Sequence, residues 1–211
     1  VAKKFDVMLA LGTHPAMTEE AINERVEITA AERASTYQSV EFINHEWDNP
    51  AALRDLGSIP AGDIKTLSGG LFAMDVPVHI NRRLFDYDQI IICGPVFPHE
   101  VVGFSGGNKY LFPGVAGPGI LNFFHWLGAV VTNPMIIGNK WTAVRKVVDR
   151  AGAMVTVPKL CFCLVVHGHG ELAGLFAGTP EQAWDDASEL SRELHITYKD
   201  RPFHTVLSCA P

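Results

Sequence analysis

Cysteine is scarce in this chain: four residues of 211, at Cys93, Cys161, Cys163 and Cys209. So few thiols, set in apolar runs, do not make a disulfide scaffold, and the Cys-Phe-Cys spacing of 161–163 is not that of zinc ligands. They read as inert buried thiols. Basic charge is short too, with 17 Lys and Arg against 23 Asp and Glu, a net charge of −6 and a pI near 5.8. This balance excludes the electrostatic footprint of a nucleic-acid binder, and no block of like charges forms a tail. No apolar run approaches the ~18–20 residues that cross a bilayer, and the opening VAKKFDVMLA has neither a long apolar region nor a cleavage site. The expectation is a cytoplasmic protein with no membrane and no nucleic acid among its partners.

An initiator methionine is also lacking. A strand candidate begins almost at Val1, and the last one, HTVLSCAP, stops as the strand ends. Residues 1–211 are therefore expected to be one α/β N-terminal catalytic domain, truncated at both ends and missing a second domain. Apolar residues, at 47%, are ample for a core. β-rich runs at 5–11, 40–44, 88–94, 159–166 and 203–209 alternate with helical stretches at 18–34, 80–86, 118–129, 139–152 and 180–195. Thr18 before two glutamates, and Thr179 before Pro180, are helix-start signals. Runs such as KLCFCLVV are apolar on both faces, as a parallel sheet covered by helices requires. The expected fold is a doubly wound, mostly parallel sheet with helices on both faces, a Rossmann-like three-layer α/β arrangement.

In such folds ligands collect in loops at the carboxyl ends of strands. His14 lies in GTHPAMTEE after the first strand, and His99 in GPVFPHE after DQIIICG. Two imidazoles on one sheet edge could act as acid and base across a small substrate, or simply pack their loops. The run PHEVVGFSGGNKYLFPGV then sets Gly103, Ser105, Gly106 and Gly107 just before Lys109. Closely spaced glycines let backbone N–H groups approach a phosphate, with Lys109 as counter-charge. Tyr110 after the lysine departs from the P-loop pattern. Alternatively, a lysine flanked by Tyr110, Leu111 and Phe112 loses its proton readily and becomes a nucleophile or attachment point. A surface lysine after a turn is the third possibility.

These segments, with LALGTHPAMTEE, PHEVVGFSGGNKYLFPGVAGPGILNFFH and GLFAGTPEQAW, resemble the nickel-pincer-nucleotide lactate racemase family over nearly the whole chain. The central segment keeps the family's spacing without a gap: a histidine, a lysine ten residues on, and another histidine sixteen beyond. The resemblance implies an isomerase that inverts C2 of a small 2-hydroxy acid. It implies that Lys109 tethers a nickel-pincer nucleotide, a pyridinium mononucleotide with two sulfur donors, that His125 ligates the nickel, and that His14 and His99 are the acid/base pair. One imidazole among four donors suits tetragonal Ni(II). The implied chemistry is hydride transfer from C2 and its return to the opposite face. Cofactor-making proteins would be partners.

Departures matter. The family's Asp-x-x-Arg-Pro loop is absent, Pro15 stands where an arginine often follows the loop histidine, and residues 35–90 look longer. The chain by itself is expected to be inactive. A phosphate- or nucleotide-binding module without nickel is the competing function, and it leaves His125 without a reason; a non-catalytic interaction domain is a third. His45 reads as turn-stabilising or substrate-touching, and His167 and His169 as a turn or a metal pair. Phe123, Phe124 and Trp126 read as core or as a stacking platform.

Overall fold

The computed structural model describes residues 3–201, 203–205 and 207, the side chain of His169 excepted. In chain order the elements are β1 (Val7–Leu9), α1 (Glu19–Arg25), α2 (Ala30–Ala34), β2 (Phe42–Asn44), β3 (Leu53–Ile59), α3 (Ala61–Leu67), β4 (Val76–Asn81) and β5 (Ile90–Pro95). There follow β6 (Pro98–His99), β7 (Gly103–Phe104), α4 (Pro118–Val131), α5 (Asn133–Ile136), α6 (Ala143–Gly152), β8 (Lys159–His167), β9 (Glu171–Gly178) and α7 (Pro180–His195). Among the described residues no helix is long and apolar enough to cross a membrane.

The expected doubly wound, mostly parallel Rossmann-like sheet is not there. The described strands form four small sheets: β1 with β2 in parallel, β3 with β4 antiparallel, β6 with β7 antiparallel, and β5-β8-β9. In the last, β5 and β8 are parallel, but β9 returns antiparallel to β8. The burial pattern supplies the reason. Along β5, Ile90 and Ile92 are buried while Ile91 is 53% exposed and Cys93 faces out. Along β8, Cys161, Cys163 and Val165 point inward, with Leu160 exposed. The inward set shares one core with Ala183, Trp184 and Ala187 of α7. The strands are thus apolar on both faces without helices on both, and apolar composition alone does not separate the two cases.

Other differences have local causes. The helix expected over 18–34 is split in two, because Glu27 adopts φ 56° and Thr29 restarts the chain with a reciprocal capping box to Glu32. β3 and β4 are hidden in the sequence by breaker residues: Gly57 sits in a bulge between Asp55 and Ser58, and Pro77 stands within β4, opposite Ser58. His167 ends β8 and residues 168–170 form the turn that makes β8 and β9 a hairpin. Of the strand expected at 203–209, residues 203–205 and 207 are not in a strand, and the rest, with Cys209, lie outside the described residues.

Candidate functional site

The segment after β5 doubles back through β6 and β7 and ends in a single helical turn, Gly107–Tyr110. Its backbone is held from three sides. From below, the Pro95 carbonyl accepts hydrogen bonds from the Ser105 hydroxyl (3.2 Å) and from the Tyr110 hydroxyl (2.9 Å). The Ser105 hydroxyl also accepts the Phe97 N–H (2.8 Å). From α6, the fully buried Arg145 guanidinium donates to the carbonyls of Phe104 (2.6 Å) and Gly106 (3.3 Å). From α7, the Trp184 indole N–H donates to Ser105 O (2.9 Å), and Arg145 lies 4.0 Å over the Trp184 ring. Three successive carbonyls, 104 to 106, are therefore captured in the interior.

The glycines of this loop are demanded first by packing. A Cβ on Gly106 would stand 2.5 Å from Val96 Cγ2, and one on Gly107 2.9 Å from Pro180 O and Trp184 Cβ. All three of Gly103, Gly106 and Gly107 have positive φ. Because a trans peptide points its N–H opposite to the preceding carbonyl, capture of Ser105 O by Trp184 turns the Gly106 N–H the other way. No described acceptor is paired with that N–H.

The turn itself alternates. Asn108 is buried and donates to Asp149 Oδ1 (3.1 Å) and Glu181 Oε1 (2.7 Å). Lys109, next to it, is half-buried, and its ammonium makes no hydrogen bond among the described residues. Burial lowers its pKa, the neighbouring Arg145 charge lowers it further, and Glu100 opposes them. A lysine so placed gives up its proton more readily than one in water.

His125 stands exposed on α4 between the buried Phe123 and Phe124 on one side and Trp126 on the other. Its Nδ1 bonds the Leu121 carbonyl at 2.9 Å, and a carbonyl can only accept, so the proton is on Nδ1. The Nε2 lone pair is left facing outward, in the way metal-binding imidazoles are prepared. Phe123 is core and Trp126, 51% exposed, packs edge-on against Phe72 at 4.4 Å.

His99 has the opposite tautomer. Its Nδ1 accepts the Val101 N–H (3.1 Å), so the neutral ring presents Nε2–H. Burial, with the charges of Lys109, Arg145 and His125, pushes its pKa down to about 4 against the pull of Glu100. Three residues after His125 on α4, Gly128 leaves room for Val101: a Cβ there would stand 2.7 Å from Val101 Cγ1. The turn carrying His99 thereby packs on the helix face that carries His125. His14 is exposed, and its loop is tied to the lysine turn through Gly114, whose N–H donates to Lys109 O (3.2 Å) and whose carbonyl accepts the Gly12 N–H (2.8 Å). His99, Lys109 and His125 thus share one field, with the His14 loop stitched to the same turn.

A proton balance follows for His99. With the folded pKa near 4 and the unfolded one near 6.5, the unfolded chain binds the proton first as pH falls. Stability from this group is level above about pH 6.5, declines down to about pH 4 and is level below it. His99→Gln should flatten that part of the stability-against-pH curve in denaturant titrations; an unaltered slope would contradict the buried neutral ring.

Several contributions carry no local signal in the sequence, the roles of Arg145 and Trp184 and the distant partner of His45 among them. Arg145 sits among Val144, Val147 and Val148 on the apolar face of α6, where a charge is expected to point outward. His45 is buried, its Nε2 donating to Ala116 O (3.0 Å) and its Nδ1 accepting from Asn81 (3.2 Å). It joins the end of β2 to the chain leading into α4, a contact across 71 residues. Trp184 alone stood in a quoted segment, GLFAGTPEQAW. Among the described residues no group of three or more His, Cys, Asp or Glu gathers to hold a metal ion. A metal at His125 would therefore need donors brought by another group, and the Lys109 amine, which acts on the same His99 ring as His125, is chemically suited to bond one. The residues present fit a tethered, donor-carrying cofactor.

Known proteins place the chain in a family. Residues 1–135 match the family model of the lactate racemase N-terminal domain. A lactate racemase of Thermoanaerobacterium thermosaccharolyticum is 24% identical over 110 residues, 52% of this chain and 21% of that enzyme. A crystal structure of a protein from Thermotoga maritima superposes with a TM-score of 0.83 at 34% identity, over 95% of this chain and 49% of the other. The lactate racemase apoprotein of T. thermosaccharolyticum shares the fold, with a TM-score of 0.68 at 19% identity, over 90% of this chain and 41% of the other. The chain spans less than half the length of these relatives, and by the match across its first 135 residues it belongs to the lactate racemase N-terminal domain family.

Proposed function

We propose that this chain is the cofactor-holding part of a racemase or epimerase acting at C2 of a small 2-hydroxy acid. The observation that carries the reading is the grouping of a half-buried, unpaired Lys109 amine with an outward His125 Nε2 and the neutral His99 ring. Lys109 would tether a nickel-pincer nucleotide, His125 would complete its metal's coordination, and the Gly106 N–H stands ready for its phosphate. When bound, that group supplies a hydride acceptor for C2.

The chain's own residues handle the hydroxyl proton. His14, exposed on its loop, takes it from the substrate oxygen. His99, held as an Nε2–H donor, meets the oxygen as it becomes a carbonyl, as a neutral imidazole can. The other enantiomer's hydroxyl points to the opposite side, and there the two exchange duties once His99 shifts its proton to Nδ1 and releases the Val101 N–H, which frees Nε2 to accept. His14→Ala and His99→Ala should each depress both directions of racemisation, since every turnover uses both residues.

The decisive measurement is racemisation in deuterium oxide by the full-length, cofactor-loaded protein. The C2 hydrogen should be retained in the product, because it leaves and returns as hydride. Extensive deuterium at C2 would replace this chemistry with direct proton abstraction by a histidine. A protein that takes up no nickel and is stabilised only by phosphate would instead be a nucleotide-binding module.

A further inference from the structure

Arg145 is the one fully buried cation among the described residues, and the proton chemistry above does not use it. Its guanidinium is tied mainly to backbone: Phe104 O at 2.6 Å and Gly106 O at 3.3 Å from two of its nitrogens. Among the described residues the carboxylate paired with it, Asp149, is 3.8 Å away and also accepts from Asn108, and its Nε finds no hydrogen-bond partner. Burying a guanidinium this incompletely paired costs stability. Satisfying two carbonyls does not require a charge, so the charge calls for another reason.

We propose that Arg145 is the positioning residue of this site: its guanidinium fixes the shape of the Phe104–Gly106 backbone, hence the place of Lys109, and sets a permanent positive charge behind that amine. Geometry supplies the first half, since the captured carbonyls lie immediately before the turn that carries Lys109. The second half follows from the surroundings. The charges that act on the Lys109 amine are Arg145 from α6 and Glu100 from the preceding turn, and Lys109 in turn acts on His99; Asp149 from α6 and Glu181 from α7 are engaged by the neighbouring Asn108. Of the cations, Arg145 acts most strongly on the amine. Burial presses the pKa of Arg145 itself only to about 10, so it keeps its charge at neutral pH. A like charge held there favours the free amine, the form that attacks or is acylated. Lysine at this position would keep the charge without the planar fork, and glutamine would keep a donor without the charge.

The proposal rests on Lys109 being the reactive amine, but its test needs no cofactor. In the apo full-length protein, acetylation of Lys109 by acetic anhydride is followed against pH by peptide mass mapping, with hydrogen exchange at the Gly106–Lys109 amides measured alongside. Arg145→Gln should raise the midpoint of Lys109 labelling, lowering its rate at pH 8 by about tenfold for each pKa unit regained. Arg145→Lys should keep the midpoint near wild type yet speed exchange at these amides. Trp184→Phe, which loses the Ser105 bond and keeps the charge, should leave the midpoint alone. An unmoved midpoint in Arg145→Gln, or unmoved exchange in Arg145→Lys, overturns the proposal. Should the glutamine variant fail to fold, exchange in the lysine variant decides. Failure of Lys109 to carry a cofactor would sink the tether and leave these apo measurements standing.

Discussion

Lys109→Ala should remove the covalent mass addition of the cofactor and all detectable racemisation, while folding stability changes by no more than about 1 kcal/mol. The asymmetry comes from what the side chain does and does not touch. Its ammonium makes no hydrogen bond among the described residues, and burial and the Arg145 charge both oppose its protonation. Truncation therefore takes away an unfavourably placed charge and some methylene packing, and leaves the captured carbonyls of 104–106 in place. Chemistry has no such reserve, because among the described residues Lys109 is the one lysine that acts on His99. Intact mass, turnover of the loaded full-length protein and a denaturant melt check the three parts together. A cofactor still bonded to the alanine variant would defeat the assignment of the tether, and loss of the fold would show that the amine is structural.

Gly103→Ala should be the most damaging single-methyl change in the chain. Gly103 has φ +96°, which side-chain-bearing residues rarely adopt, and an added Cβ would overlap the Asn139 carbonyl oxygen and stand 3.1 Å from Thr142 Cγ2. Neither neighbour can withdraw cheaply. The loop at Asn139 is fastened by the Gly138 N–H to Gly103 O (3.1 Å), and Thr142 is bonded to Val102 O (2.9 Å) as it caps α6. Positive φ and backbone overlap together should cost about 4 kcal/mol or more, a large part of the ~5–15 kcal/mol that keeps a domain folded. Gly62→Ala in α3 is the matched control: nothing lies within 4 Å of its Cβ position, and alanine should be neutral or stabilising there. Denaturant midpoints of the two variants should move in opposite directions or differ severalfold. Equal midpoints would mean that the 138–142 loop yields.

The parts of this site legible in the sequence are those whose chemistry is local. The spacing of His99, Lys109 and His125 marks one segment, Thr18 and Thr179 cap their helices by accepting the N3 amide N–H, and α7 runs from Pro180 to His195 as its start signal and pattern predict. The fold class departs from the sequence expectation because DQIIICG and KLCFCLVV give apolar content on both faces without revealing which face is covered; Ile91 and Leu160 are outward. Nor could local pattern find Arg145 or Trp184, or the partners of His45. These three side chains act on carbonyls far along the chain, at separations of 41, 79 and 71 residues respectively. Such bonds are set by tertiary packing, which one sequence does not display. The glycines suggest phosphate approach, whereas their closest constraints are the Asn139 carbonyl at Gly103, the Val96 side chain at Gly106, and Pro180 O with Trp184 Cβ at Gly107.

The capture of three successive carbonyls also bears on binding thermodynamics. A loop that orders only when its ligand arrives loses ~1–2 kcal/mol of backbone entropy per residue at that moment, which subtracts from affinity. Here Phe104, Ser105 and Gly106 are already fixed by Arg145 and Trp184, side chains from two different helices. Their ordering belongs to the folding equilibrium. Ligand affinity at this loop and the local stability of α6 and α7 are consequently one linked quantity, so loosening either helix weakens binding even where no residue of that helix meets the ligand.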